Sequence, residues 1–148
     1  MSNSIGFLKI EIKKKNINLI DESYNSNPLS LKSAIENFNS IKTNNRKHMI
    51  LGDMLELGKH SKKLHQKMST IINSTSIDKV NVFGKNIVET YKNIHIQKKG
   101  LILKENSQIF DLIKNNINNN DYLMIKGSNS TGLHSLVGSL KKGNINAL

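Results

Sequence analysis

The first ordered pattern in the chain is FLKIEIK, residues 7–13, where apolar and polar side chains alternate with the two-residue period of a half-buried strand. After the polar Lys14 and Lys15, NINLID (16–21) is a second strand-like run, placed to pair with the first as a hairpin. From Pro28 the period lengthens. PLSLKSAIENFNSI carries Leu29, Leu31, Ala34, Ile35, Phe38 and Ile41 at helical spacing, with Asn27 as N-cap and Pro28 at the first helical position. HMILGDM (48–54) reads as a short buried strand, followed by a loop through Gly58 and a helix from about Ser61 to Ile72 that buries Leu64, Met68, Ile71 and Ile72. The alternation then repeats. KVNVFG is a strand and NIVETYKNI a helix; GLILK is a strand and SQIFDLIKNNI a helix; DYLMIKG is a strand and TGLHSLVGSLKK the final helix. Strands alternating with helices call for an α/β fold: a mainly parallel sheet with helices on both faces and the N-terminal hairpin strand at one edge.

No linker, repeat or break interrupts this order, so residues 1–148 are expected to form a single domain, with 1–5 a ragged start and 142–148 a tail. The asparagine tract from Asn115 to Asn120 reads as a low-complexity loop. At 148 residues such a domain buries roughly 70% of the surface its unfolded chain exposes, enough for a real core. The chain has no cysteine, which excludes disulfides, thiolate metal sites and a cysteine nucleophile. No apolar run approaches the roughly 20 residues of a membrane span and the N-terminus lacks a signal-peptide pattern, so a cytoplasmic protein is expected. The formal charge of +11 would ordinarily suggest nucleic acid. Arg46 is the sole arginine, however, and base readout leans on bidentate arginine, so the charge is read as a lysine surface with no nucleic-acid partner.

Three polar segments follow strands and precede helices, where open α/β sheets bind ligands. In DESYNSNP (21–28), a helix starting at Asn27 and Pro28 presents amides suited to phosphate or carboxylate, while Asp21 and Glu22 suit hydroxyls, an ammonium or a hydrated Mg²⁺. The same residues serve equally as a capped turn. In LGDMLELG (51–58), Asp53 and Glu56 could meet an amine, although acids in such loops are common on any surface. In KGSNSTG (126–132), glycines and hydroxyls permit close approach of an anion with Lys126 as a point charge, yet GxxxxGK[ST] occurs nowhere in the chain. The histidines at 48, 60, 65, 95 and 134 form no HxxxH or HExxH pattern, so no metal site is expected. His65 could order the LGDMLELG loop by hydrogen bonding, but a helix-surface histidine is the expected reading.

Taken together and in order, LIDESYNSNPLSLKSAI, MILGDMLELGKHSKKLH and LMIKGSNSTGL resemble the C-terminal domain of the Mur ligase family, over residues from about 6 to 141. The match is closest to the D-alanyl-D-alanine-adding branch, whose pattern is near DDSYNANP, LGDMxELG with a following histidine, and KGSR. The resemblance implies a Rossmann-like sheet that closes over ATP, with the P-loop and Mg²⁺ held mainly by a preceding central domain and the UDP-N-acetylmuramoyl-tripeptide by an N-terminal one. It places Glu22, Tyr24, Asn25 and Asn27 toward the nucleotide, and Asp53, Glu56, His65, Lys126, Ser128 and Asn129 around the cleft for D-alanyl-D-alanine. No catalytic residue is carried over with it. Glu22 stands where the family often has aspartate, Asn129 where arginine is frequent, and Phe7 where an arginine usually follows glycine. The alternative is a stand-alone nucleotide- or peptide-binding module without catalysis.

Overall fold

The computed structural model describes residues 6–128 and 131–143. Strands β1 (Leu8–Ile12) and β2 (Lys15–Glu22) form the antiparallel hairpin, with Ile10 opposite Ile17. Their two-residue turn is Lys13–Lys14, both at positive φ, the backbone of a tight hairpin built without the usual Asn-Gly. The other elements are α1 (Pro28–Asn39), β3 (Lys47–Gly52), α2 (Ser61–Asn73), β4 (Lys79–Phe83), α3 (Val88–Lys92), β5 (Lys99–Leu103), α4 (Asn106–Asn116), β6 (Tyr122–Lys126) and α5 (Leu133–Lys141). Strand order is β1-β2-β6-β3-β4-β5, and every pairing except the hairpin is parallel. The expected α/β sheet with an edge hairpin strand is therefore the observed one.

Side chains alternate across the sheet and build two cores. Leu19, Ile50, Leu123 and Ile125 face α4 and α5; Ile20, Met49, Leu51, Val80, Val82 and Met124 face α1, α2 and α3. Within α1 the buried stripe is Leu31, Ala34, Ile35 and Phe38. Leu29, expected in that stripe, is 76% exposed, because two residues of helix rotate it about 200° from Leu31. In α2 the stripe is His65, Met68, Ser69 and Ile72, one residue away from the expected Leu64 and Ile71, which are half-buried. Two polar side chains inside an apolar stripe misled the periodicity. Asn115 and Asn116, which the expected helix and the expected loop tract both claimed, belong to the helix and complete the last turn of α4.

The lysine surface expected from composition also needs correction, because several lysines turn inward onto helix and loop carbonyls. Lys15 Nζ donates to the carbonyls of Ile113, Lys114 and Ile117 at 2.9, 2.6 and 2.5 Å, capping the C-terminal end of α4. Lys47 Nζ donates to Asn39 O at the end of α1, and Lys98 Nζ to Thr75 O and Ile77 O beyond α2. Burial lowers the pKa of all three, opposed by Asp121 near Lys15 and by Asp78 near Lys47 and Lys98. A helix end concentrates negative partial charge, so a cation there answers both the dipole and the orphan carbonyls. Lys15→Met should lower the unfolding free energy by about 1–3 kcal/mol in urea titrations, the value of a charged hydrogen-bond set, while the exposed Lys9→Met should stay within about 0.5 kcal/mol.

Candidate functional site

The three polar segments leave β2, β3 and β6, and β6 lies between the other two. All three run parallel, so their carboxyl ends meet at one edge of the sheet. Lys126, the last residue of β6, is 3% exposed. Its Nζ donates to Asn25 O and lies 3.8 Å from Glu22 Oε2, tying the third segment to the first. Burial lowers the Lys126 pKa and Glu22 raises it in part. The ammonium is thus a buried fastener rather than the open point charge that its sequence position suggested. A Cβ on the following Gly127 would come within 2.7 Å of Leu133 Cδ1, so the leucine at the start of α5 lies directly against this turn and would have to shift to admit a side chain. Ser128 Oγ is 3.4 Å from Asp53 O. Asn129 lies outside the described residues.

Around DESYNSNP the structure adds groups that motif reading did not single out. Asp21 Oδ1 accepts the Ser23 N–H at 3.0 Å and the Ser23 hydroxyl at 2.5 Å; Asp21 Oδ2 is 2.5 Å from Lys141 Nζ. Ser23 Oγ is also 3.1 Å from His134 Nδ1, and Tyr24 stands edge-on to the His134 ring at 5.4 Å. The Asp-x-Ser turn was visible in the sequence as a local side-chain-to-backbone pattern; His134 and Lys141, over 100 residues away, were not. Tyr24, Glu22 and Asn25 are exposed at this edge. Asn27 closes a capping box in which its Oδ1 accepts Ser30 N–H and Ser30 Oγ accepts Asn27 N–H. Pro28 has no N–H and Ser30 is capped, so Leu29 carries the amide of the first turn left open to a ligand among the described residues. Ser26 Oγ is buried without a partner among the described residues, at a cost of about 1–3 kcal/mol.

The 51–58 loop is held from both sides. His65 is fully buried: its Nε2 accepts Met54 N–H at 3.0 Å, and its Nδ1 is 2.8 Å from Ser61 O. Only a neutral ring protonated at Nδ1 satisfies both bonds. The surface reading of His65 is therefore corrected, and the loop-ordering one holds, because Met54 inserts into the core and its amide needs a buried acceptor. Asp53 Oδ1 accepts the amides of Asn86 and Ile87 at 3.0 and 2.7 Å. Gly84, at φ +148°, passes so close that a Cβ there would collide with the Asp53 carboxylate. Glu56 is exposed at φ +62°. Asp53, Leu55, Phe83, Gly84 and Thr131 line a hollow of about 310 Å³, and Phe83 and Gly84 also line a neighbouring one of about 460 Å³ beside α3. Among the described residues no three histidine or carboxylate groups cluster to hold a metal, and no helix is long and apolar enough to cross a membrane.

A mainly parallel sheet with helices on both faces, whose polar loops converge at one carboxyl edge, defines an α/β domain of the doubly wound class. The family model "Mur ligase, glutamate ligase domain" matches residues 9–129, and the chain belongs to that family. It is 28% identical over 138 residues to the UDP-N-acetylmuramoyl-tripeptide--D-alanyl-D-alanine ligase of Bacillus subtilis, covering 90% of this chain and 30% of that protein. The ligase of the same name from Buchnera aphidicola subsp. Acyrthosiphon pisum is 34% identical over 127 residues, covering 84% and 27%. The fold is shared with the MurF ligase from Thermotoga maritima in complex with ADP, at a TM-score of 0.72 and 20% identity over 99% of this chain and 33% of that one. A MurF crystal structure from Acinetobacter baumannii gives a TM-score of 0.72 at 23% identity over 93% and 30%. The chain spans about 30% of the length of these relatives.

Two outcomes follow from the site's bonding. His65→Ala should cost about 2–4 kcal/mol through the orphaned buried Met54 amide and a cavity, with faster hydrogen exchange at that amide. Burial pushes the Asp21 carboxyl up, but hydrogen bonds from Lys141 and Ser23 outweigh it and hold its pKa below the ordinary 3.8. Its contribution to stability is thus present above 3.8 and lost as pH falls through the folded-state value. Carboxyl ¹³C titration should place the Asp21 midpoint below 3.8, and Lys141→Met should move it upward.

Proposed function

We propose that this chain is the C-terminal, closing domain of a cytoplasmic ATP-dependent ligase that adds D-alanyl-D-alanine to UDP-N-acetylmuramoyl-tripeptide in peptidoglycan precursor synthesis. The observation that carries the reading is the convergence of DESYNSNP, LGDMLELG and KGSNSTG on three adjacent strand ends, in a family member similar to ligases of that name. ATP is activated elsewhere. GxxxxGK[ST] is absent from the sequence, and a P-loop and Mg²⁺ come from partner domains with which this one works. The present residues supply the wall that closes on the nucleotide and guides the incoming dipeptide.

In this reading ATP phosphorylates the tripeptide carboxylate, and the dipeptide amine attacks the acyl phosphate with loss of inorganic phosphate. An acyl phosphate hydrolyses in water, so the domain's contribution is exclusion of solvent and orientation of the amine. Tyr24 and Asn25, both exposed at the edge, face the nucleotide, and the open Leu29 amide of α1 gives one helix-terminal donor. Glu22 keeps its carboxylate beside Lys126. Asp53 Oδ2 and Glu56 remain for the dipeptide ammonium, since Asp53 Oδ1 is engaged by Asn86 and Ile87. His65 acts as a positioning residue by fixing the loop that carries both acids.

Combined with N-terminal and central ligase domains, the chain should release phosphate from ATP only when both the tripeptide precursor and D-alanyl-D-alanine are present. Turnover without the dipeptide would overturn the ligase reading, and nucleotide binding by the chain with no ligation in an intact complement would assign it instead to a non-catalytic binding module. Tyr24→Ala and Asn25→Ala should raise the KM for ATP by about tenfold with an unchanged unfolding midpoint, as expected for exposed contacts made on binding.

A further inference from the structure

The opposite, amino edge of the sheet holds a second polar cluster that the ligase reading does not use. Strands β3 and β4 are covered on both faces, where continuous apolar side chains are expected, yet His48 and Asn81 sit within them at 2% and 1% exposure. Both project to the side of α4 and α5, because they alternate with Met49, Val80 and Val82, which pack on the other side. His48 Nε2 lies 3.0 Å from Asp121 Oδ2. Asp121 also accepts the amides of Arg46 at 3.1 Å through Oδ1 and Asn118 at 2.9 Å through Oδ2, so both of its oxygens serve as acceptors. Nε2 therefore carries the proton, and Nδ1 of the neutral ring is an acceptor with no hydrogen bond among the described residues.

His48 lines a cleft of about 210 Å³ with Arg46, Lys79, Asn81, Lys99 and Asn116. Arg46 is exposed beside it, and Lys79 Nζ donates one hydrogen to Gln97 O at 3.0 Å with two donors left. Lys99 is held 5.3 Å over the Tyr91 ring and adds charge at the rim. The groups acting on His48 are its own burial and Arg46, which lower its pKa, and Asp121 and Asp78, which raise it; the net direction is down. The cleft thus combines three cations, Arg46, Lys79 and Lys99 at the rim, with a neutral imidazole acceptor.

We propose that this cleft binds a small phosphate-type anion, inorganic phosphate or the terminal phosphate of a small metabolite, with Arg46 and Lys79 on its oxygens and His48 Nδ1 accepting a P–OH hydrogen. A carboxylate or sulfate offers acceptors alone and would meet Nδ1 only if the buried ring took up a proton, which its surroundings oppose. Phosphate carries both acceptor oxygens and a hydroxyl near neutral pH, so it satisfies every group as it stands. The site is on the opposite edge from the proposed nucleotide cleft and stands independently of it.

The test is an NMR titration of the 148-residue chain with inorganic phosphate and, separately, sulfate at matched ionic strength. Saturable shifts at the His48 ring, Arg46 and Asn81, with phosphate bound about tenfold more tightly than sulfate, are the expected result, since one charge-assisted hydrogen bond separates the two anions. Arg46→Gln and Lys79→Gln, at positions outside the core, should each weaken phosphate about tenfold with native circular dichroism. Linear shifts spread over the surface lysines, or equal affinity for sulfate and phosphate, would overturn the proposal. A separate arm with a short alkyl phosphate monoester, present as monoanion at pH 5.5, distinguishes a free phosphate site from one built for a metabolite's end: tighter binding of the monoester favours the latter, and either result supports the phosphate chemistry.

Discussion

Strand β6 runs between β2 and β3, and the rest of the structure depends on that insertion. It is the last strand among the described residues, yet it carries hydrogen-bonded ladders on both sides, with Leu123 and Ile125 in one core and Met124 in the other. Its apolar run can be buried only when both neighbours are in place. The same parallel alignment delivers Lys126 and Gly127 to the edge where β2 releases DESYNSNP and β3 releases LGDMLELG. A polar edge made of segments about 30 and 75 residues apart is thus a consequence of one strand's position.

Charge has two roles in this molecule. Most lysines face solvent, but Lys15, Lys47, Lys98 and Lys126 fold back on carbonyls at the ends of helices and loops. A long flexible cation reaches these carbonyls where a backbone donor cannot, and burial of the methylene stem adds apolar contact. The net charge of +11 is in part an internal fastening system, which composition alone could not separate from a polyanion-binding surface.

The two edges of the sheet divide the polar chemistry. At the carboxyl edge, loops are anchored from below, by the buried His65 under Met54 and the half-buried Asp53 under Asn86 and Ile87, while Tyr24, Asn25 and Glu56 stay exposed. Rigid support beneath exposed polar side chains is what an edge that closes on a ligand needs. At the amino edge, polar side chains replace apolar ones within central strands, and the imidazole of His48 is oriented by Asp121. The KVNVF and KHMIL runs already carry the mismatch: a polar residue in the middle of a doubly covered strand.

The order of strands and helices, the hairpin at the edge and the capped start of α1 were legible in the sequence, because side-chain period, Asn27 and Pro28 are local causes of local structure. The three motif segments were legible too, as polar interruptions between strand and helix. What lay beyond reach was decided by contacts between distant residues. Periodicity could not tell that His65 and Ser69 belong to the buried stripe of α2, because their burial rests on partners outside any hydropathy pattern: Met54 N–H and Ser61 O for His65, Gln66 O for Ser69. Nor could it show that Lys126 is closed off by Asn25 and Glu22, or that Asp21 is paired with Lys141 across 120 residues. Sequence by itself determined which elements form and where polar groups are offered; the tertiary structure decided which of those groups meet, because hydrogen bonds between strands and loops far apart in the chain exist only once β6 has joined them.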